Sequence, residues 1–450
     1  MDIRNKKISI IGAVRSGLGA AKLAKRHGAV PFVTDSSSEE KMKDAKAILD
    51  AENVEYEFGQ HSDRVFECDF IVTSPGVPSD SFVLASAKEK GIEIYSEVEF
   101  ASWFAEGKII SITGTNGKTT TTTLCDYVIN QSGLKSYAAG NIGNAFSEIA
   151  DKIQSDEYVS LETSSFQLDY VSNFKPAYAM ILNVTPDHMD RYEDSIEKYK
   201  ASKFNIYKNQ DENDVLILNA DDINLTKAGE ESEVNKYYFS TTHKVSKGAY
   251  LLNNSFYFSD GNKEEVVCTT SDVFIKGEHN YANALAVLIA AKLIGISNEN
   301  IKSAFTSFKG VEHRLEFVRE INGIKFINDS KATNVDSVWY ALNSFEEKIL
   351  LILGGKDKGN DYEQIKNLVE DKVRKIYAIG SSKDKVYDFF KEIVEVEKKD
   401  SLEDCVIAGL NDAKENEVVL LSPACASFDM FNNYEHRGQV FKKAVMELSE

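Results

Sequence analysis

Lys108-Ile109-Ile110-Ser111-Ile112-Thr113-Gly114-Thr115-Asn116-Gly117-Lys118-Thr119-Thr120 decides how this chain is read. An apolar strand feeds a two-glycine loop, and a helical stretch follows to Asn130. Such a junction aims free backbone N–H groups and the positive end of a helix dipole at one point, which suits phosphate. Lys118 is placed to reach terminal phosphates and the Thr119 hydroxyl to ligate Mg²⁺, while Gly114 and Gly117 allow close backbone approach. The loop departs from the strict GxxxxGK[ST] form, which needs glycine at position 112; Ile112 stands there and the glycine is displaced to Gly114.

Working outward, short apolar runs alternate with helical patterns on both sides, which predicts an α/β chain of parallel sheets with crossover helices. At 450 residues, and about 150 per domain, three domains are expected, each with its own core. The boundaries read as 1–96, 97–310 and 311–450. A more antiparallel patch is expected over Tyr237 to Cys268, where Asn253-Asn254 and Asp260-Gly261 signal turns. Hydrophobic residues make up 42% and charged residues 27%, the balance of a folding globular protein.

Lys plus Arg is 52 and Asp plus Glu is 71, so the formal charge is −19. That surface repels phosphate backbones and anionic lipid, and no nucleic-acid or membrane partner is expected. No apolar run is long enough to span a bilayer, and Met1 to Lys7 leads into a strand without an apolar leader, which reads as cytoplasmic. Five scattered cysteines without a CxxC pair read as buried thiols.

Further polar groups stand at strand ends, the edge where parallel sheets bind ligands. Tyr158 to Leu161 ends at Glu162, a candidate Mg²⁺ partner for Thr119, and Ala177 to Val184 runs into Thr185-Pro186-Asp187-His188. Lys203 follows on a predicted helix; as an ammonium it would be repelled by bound Mg²⁺, so it must stay outside the site or lose its charge. Asn280 and Asn283 share one helix face, and Arg314 sits in the connector to the third unit, where it can neutralise phosphoryl charge. In that unit Asp329 to Asn334, Gly354 to Gly359 and Ser422 to Asp429 make one polar edge. The first unit carries Gly12 to Gly19, a poor dinucleotide fingerprint, and Asp35 after the next strand can receive a ribose or sugar hydroxyl.

In their order along the chain, GTNGKTT (114–120), LETSSFQL (161–168), NVTPDHMDRY (183–192), HNYANA (279–284), HR (313–314), NDSKATN (328–334), LGGKDKGND (353–361) and SPACASFDMF (422–431) resemble the Mur ligase family over essentially the whole chain, with DSKATN and SPACASFD most like its D-glutamate-adding branch. The resemblance implies an N-terminal Rossmann-like domain for a UDP-sugar, a central P-loop ATPase domain and a C-terminal Rossmann-like domain for the incoming amino acid. It implies ATP-dependent joining of the L-alanine carboxylate of UDP-N-acetylmuramoyl-L-alanine to the amine of D-glutamate through an acyl phosphate, in peptidoglycan precursor synthesis.

Carried over by position, the resemblance gives Gly114, Thr115, Asn116, Gly117, Lys118, Thr119, Thr120, Asn280, Asn283, Arg314 and Asp329 to ATP. Thr119 and Glu162 would hold one Mg²⁺; His188 and Lys203, the latter carrying a CO₂-derived carbamate, would hold a second. Lys118, His188 and Lys203 are the implied catalytic residues. Lys331, Thr333, Lys358, Ser427 and Tyr434 correspond to D-glutamate contacts, and Ser16, Asp35, Ser74, Gly76 and Asn141 to UDP-sugar contacts. Ser37 occupies a place where related enzymes can carry a basic residue. The resemblance also implies a monomer. Two other readings remain: a folylpolyglutamate synthetase-like ligase, and a P-loop switch or transport ATPase.

Overall fold

The structure, a computed structural model, describes residues 2–357 and 359–449. The chain divides into two compact units, Met1–Val273 with Asn280–Phe308, and Phe274–His279 with Lys309–Glu450. The first unit carries two sheets and the second unit one.

The first sheet is formed by β1 (Lys7–Ile11), β2 (Val30–Asp35), β3 (Glu55–Phe58), β4 (Phe70–Thr73) and β5 (Ile94–Ser96), all parallel in the order β3-β2-β1-β4-β5. Ile11 is in register with both Thr34 and Thr73, so the loops opening at Gly12, Asp35 and Ser74 emerge together. The crossover helix Arg15–Arg26 buries Ala20, Ala21, Leu23 and Ala24 on its sheet face.

The second sheet comprises β6 (Lys108–Thr113), β7 (Ser136–Gly140), β8 (Tyr158–Glu162), β9 (Tyr178–Ile181), β10 (Val215–Asn219), β11 (Asn235–Ser240), β12 (Gly248–Leu252), β13 (Ser255–Ser259) and β14 (Glu264–Thr269). Its order is β14-β13-β12-β11-β10-β9-β6-β8-β7, which puts β6 between β8 and β9. Ile112 pairs with Glu162 and Thr113 with Ile181, so the glycine loop, Thr163 and Leu182 share one edge.

Over Tyr237 to Cys268 the expected antiparallel patch is only partly present. β12, β13 and β14 pair antiparallel, but β11 runs parallel to both β10 and β12. Gly248 explains the departure: at φ +138° it lies so close to the Tyr238 carbonyl that an added Cβ would sit 1.8 Å from its oxygen. Only glycine lets so short a connection start a parallel strand there.

In the second unit β15 (Glu316–Ile321), β16 (Ile324–Asn328), β17 (Ile349–Gly354), β18 (Val373–Ile379), β19 (Glu395–Lys398) and β20 (Val418–Leu421) take the order β15-β16-β20-β17-β18-β19. β15 was not expected from the sequence. It returns against β16 through Asn322-Gly323, both at positive φ, a tight hairpin turn. Asn328 and Ile352 both align with Leu421, which gathers the loops after β16, β17 and β20.

Among the described residues no helix is long and apolar enough to cross a membrane. Four cysteines are buried free thiols, and Cys68 is half-buried.

Candidate active site

The loop after β6 is held from below by the segment after β9. Asn183 accepts from the Asn116 N–H at 2.8 Å and donates to its carbonyl at 3.1 Å. Thr115 Oγ1 donates to the Thr185 carbonyl and accepts from the Thr185 N–H, both at 3.0 Å. Gly117 then starts the helix Lys118–Gln131 in the left-handed region, φ +84°, and a Cβ there would meet Asn283 Oδ1 at 2.5 Å. Asn283 therefore lies against the loop, and Asn280 is buried on the same helix, Glu278–Ile294. Thr120 is buried and Thr119 half-buried.

Two lysines converge on one oxygen. Lys118 Nζ donates to the carbonyls of Gly114 (2.8 Å) and Thr115 (2.7 Å), and Lys203 Nζ reaches the same Gly114 carbonyl at 2.8 Å. Lys203 comes from the helix Ile196–Phe204, is 1% exposed and lies over the Tyr199 ring. Burial, and then the Lys118 charge, hold its amine far below the usual lysine pKa, against the opposite pull of Asp187 and Asp169. Burial thus disfavours the charged form of this amine.

Glu162 closes the same edge. It is buried; Oε1 accepts from Asn141 Nδ2 at 2.9 Å, and Oε2 has no hydrogen-bond partner among the described residues. An orphaned carboxylate oxygen one strand from the phosphate loop fits a divalent cation. Asn141 is thus bound to Glu162, whereas Ser16, Asp35, Ser74 and Gly76 line a separate cavity of about 510 Å³ on the first sheet. Asp35 carries that cavity's floor by accepting from the N–H groups of Ala13 and Ser37, each at 2.8 Å.

His188 sits at φ +54°, exposed, with Phe166 edge-on at 4.9 Å. Arg191 stacks 3.7 Å from the Phe166 ring centroid and donates to the carbonyls of Pro75 (3.1 Å) and Val77 (2.6 Å). It ties the His188 segment to the cavity loop after β4. Neither Asn183 nor Arg191 was singled out from the sequence, although both lie inside NVTPDHMDRY.

In the second unit Asp329 is buried, accepting from Leu315 N–H (3.2 Å) and Ser422 Oγ (2.8 Å). Burial pushes its carboxyl up to about 6, while Arg314 draws it back. Lys331 Nζ lies 5.4 Å from the Tyr434 ring centroid, and Ser427 is buried at the neighbouring strand end. Thr333 is half-buried in the same loop as Lys331, and Lys358 lies outside the described residues. Arg437, another residue not foreseen, is 2% exposed and donates to Ser330 Oγ (3.0 Å), the Ser330 carbonyl (2.8 Å) and the Cys425 carbonyl (3.0 Å), clamping two of the three polar loops together. Burial lowers even its guanidinium to about 10.

Known proteins resemble this chain along its length. Residues 6–96 match the model of a Mur ligase MurD-like N-terminal domain, 112–291 that of the Mur ligase middle domain, and 313–425 that of the Mur ligase glutamate ligase domain. A UDP-N-acetylmuramoylalanine--D-glutamate ligase of Chloroherpeton thalassium is 43% identical over 464 residues, covering 99% of each chain. One from Christiangramia forsetii is 43% identical, covering 98% of this chain and all of its own. Among solved structures, the UDP-N-acetylmuramate-alanine ligase MurC of Thermotoga maritima superposes with a TM-score of 0.63 at 19% identity, covering 98% of this chain and 99% of its own. MurF of Acinetobacter baumannii reaches the same score at 16% identity, over 93% and 91%.

Proposed function

From the premise that the chain belongs to the Mur ligase family, with its three-domain α/β architecture, we propose that it joins UDP-N-acetylmuramoyl-L-alanine to D-glutamate with conversion of ATP to ADP and phosphate. It is a ligase of peptidoglycan precursor synthesis, working on small-molecule substrates with ATP and Mg²⁺. Full-length kinship to ligases of that name supports the substrates. The observation that carries the chemistry is the glycine loop with the orphaned Glu162 oxygen beside it. The folylpolyglutamate-type and switch-ATPase readings are not favoured by these relatives.

Amide formation from a carboxylate is uphill in water, so the carboxylate must first be activated. Its oxygen attacks the γ-phosphorus, ADP departs, and an acyl phosphate remains. The loop N–H groups and Lys118 hold the phosphates, Lys118 exchanging the Gly114 and Thr115 carbonyls for phosphate oxygens. The D-glutamate nitrogen then attacks the acyl carbon, His188 steadies the tetrahedral oxyanion, and phosphate leaves with the proton that the amine gives up. Mg²⁺, when bound, supplies the positive charge that offsets phosphoryl transfer. Thr119 and Glu162 would hold one ion, and His188 with a carbamate on Lys203 a second. Asn280, Asn283, Arg314 and Asp329 serve the nucleotide, and Lys331, Thr333, Lys358, Ser427 and Tyr434 the D-glutamate. In this division of labour 1–96 binds the UDP-sugar, 97–310 the ATP and 311–450 the amino acid, in a cytoplasmic monomer with no nucleic-acid or membrane partner.

The test is a phosphate-release assay crossing UDP-muramoyl substrates with D-Glu, L-Glu, L-Ala, L-Lys and diaminopimelate. Release is expected only with UDP-N-acetylmuramoyl-L-alanine plus D-Glu. No ADP with that pair would overturn the proposal, and preference for another amino acid would move the chain to a different branch of the family.

A further inference from the structure

Past the last paired residues of β6 and β9 the two segments do not separate. Leu182 N–H donates to the Thr113 carbonyl and Thr115 N–H to the Asn183 carbonyl, both at 3.0 Å. One residue further the partner is a side chain. Asn183 accepts from Asn116 N–H at 2.8 Å and donates to its carbonyl at 3.1 Å, as a residue of an opposite strand would.

The orientation of the Asn183 amide is fixed by these two partners, since a backbone N–H can only donate and a carbonyl can only accept. The segment that carries it is pinned from the other side as well. Asn219 Nδ2 donates to the Leu182 carbonyl at 3.0 Å, and Asp222 Oδ2 accepts from Val184 N–H at 2.9 Å. Asn183 therefore stands on a held backbone, between anchors at and just after the end of β10.

A trans peptide is planar, and its C=O and N–H point in opposite directions. Because Asn183 holds the Asn116 N–H, the Thr115 carbonyl of that peptide is turned the other way, where Lys118 Nζ meets it at 2.7 Å. Because Asn183 also holds the Asn116 carbonyl, the Gly117 N–H of the next peptide is turned away from Asn183 too. Gly117, at φ +84°, opens the helix Lys118–Gln131, and the start of a helix is the end that an anion meets. One side chain thus sets two peptides. Without it, the peptide before a glycine can turn over at little steric cost, which would set a carbonyl oxygen against a phosphate oxygen.

We infer that Asn183 is a positioning residue of the phosphate loop: its amide keeps the Gly117 N–H presented to the nucleotide phosphates and the Thr115 carbonyl presented to Lys118. The inference rests on the proposed use of ATP. It gives Asn183 no contact with substrate. Asn183 acts through Gly117 and Lys118, whose direction it sets.

The test is calorimetric titration of the full-length protein with Mg·AMPPNP and, separately, with UDP, alongside ligase kinetics. Asn183→Leu keeps the volume of the side chain and removes both hydrogen bonds; Asn183→Ala removes the volume too. Both variants are expected to bind Mg·AMPPNP roughly tenfold more weakly, the scale of one hydrogen bond to a charged group, and to raise the KM for ATP in step. UDP affinity and the KM for the UDP-sugar are expected to stay within about twofold. A leucine variant close to wild type would reduce Asn183 to a filler of space and overturn the inference. Equal weakening of both ligands would mark a packing defect and overturn it as well. Wild-type protein that ligates normally, with variants that bind Mg·AMPPNP as tightly, overturns the inference alone; wild-type protein that neither binds Mg·AMPPNP nor forms ADP overturns the functional proposal too.

Discussion

The first unit places a glycine between strand and helix twice and builds the two junctions differently. β1 is followed by Gly12 (φ +97°) before the helix at Arg15, and β6 by Gly114 (φ +155°) before the helix at Lys118. At the first, a carboxylate supports the turn: both Asp35 oxygens accept backbone N–H groups, so its charge is satisfied from within the fold, and a wide cavity opens above. At the second, an amide supports it. Asn183 pairs with the Asn116 backbone, and two lysines crowd the Gly114 carbonyl. Under the proposed function, the turn supported by Asp35 seats the UDP-sugar, and the turn with Lys118 against it grips the phosphate that is transferred.

Removing a cation from the grip should break the contrast most visibly. Lys118→Ala is expected to lower kcat by roughly 10²–10³-fold while UDP affinity, measured by calorimetry, stays within about twofold. A matching fall in UDP affinity would mean that the two turns do not work separately. Next, Lys203→Ala is expected to lose about 10²-fold in activity and to regain part of it with a short carboxylic acid such as acetate, which replaces the missing carbamate. Carbon-13 bicarbonate should give a carbamate resonance in the wild type and none in the variant. Near-normal activity without rescue would remove Lys203 from the site.

The sign of the accompanying pH effect follows from the depressed amine pKa. Activity at limiting CO₂ should rise as pH climbs through that lowered value, where the buried amine loses its proton, and level off above it. The unfolded lysine still binds a proton that the folded one refuses, so its burial costs stability below the usual lysine pKa, and the cost fades as pH approaches it.

Smaller effects sharpen the seat. Arg191→Ala should raise the KM for the UDP-sugar by roughly tenfold and leave that for ATP nearly unchanged, because the two carbonyl contacts it loses belong to the cavity loop. Equal effects on both would make Arg191 a general packing residue. Asp35→Asn keeps one acceptor oxygen for two N–H donors; a loss of about 1 kcal/mol in denaturant unfolding and a two- to threefold weaker UDP affinity are expected.

The parts legible in the sequence were those encoded locally. Lys108–Thr113 reads as a strand because apolar β-formers run straight into glycine, and of the polar groups at its edge Glu162 stands directly after an apolar run and His188 in the loop that follows another. Groups whose role depends on a distant partner were not legible. Arg437 looks like a solvated helix charge until the Ser330 and Cys425 loops close around it. Asn183 gains its meaning only when β9 is laid beside β6. The parallel pairing of β11 with β12 was not legible, because it depends on the close approach of Gly248 to the Tyr238 carbonyl, which no local pattern announces. Asn141 follows β7, which pairs with β8, and so meets Glu162 at the end of the neighbouring strand.

Lys203 carries one more consequence. An amine whose burial disfavours its charged form is open to the wrong small electrophile as well as the right one. Cyanate has nearly the size of CO₂, and its adduct, a urea, is uncharged and permanent where a carbamate is anionic and reversible. Urea solutions that have aged into cyanate should therefore poison this protein at one buried lysine, long before its solvent-exposed lysines have reacted.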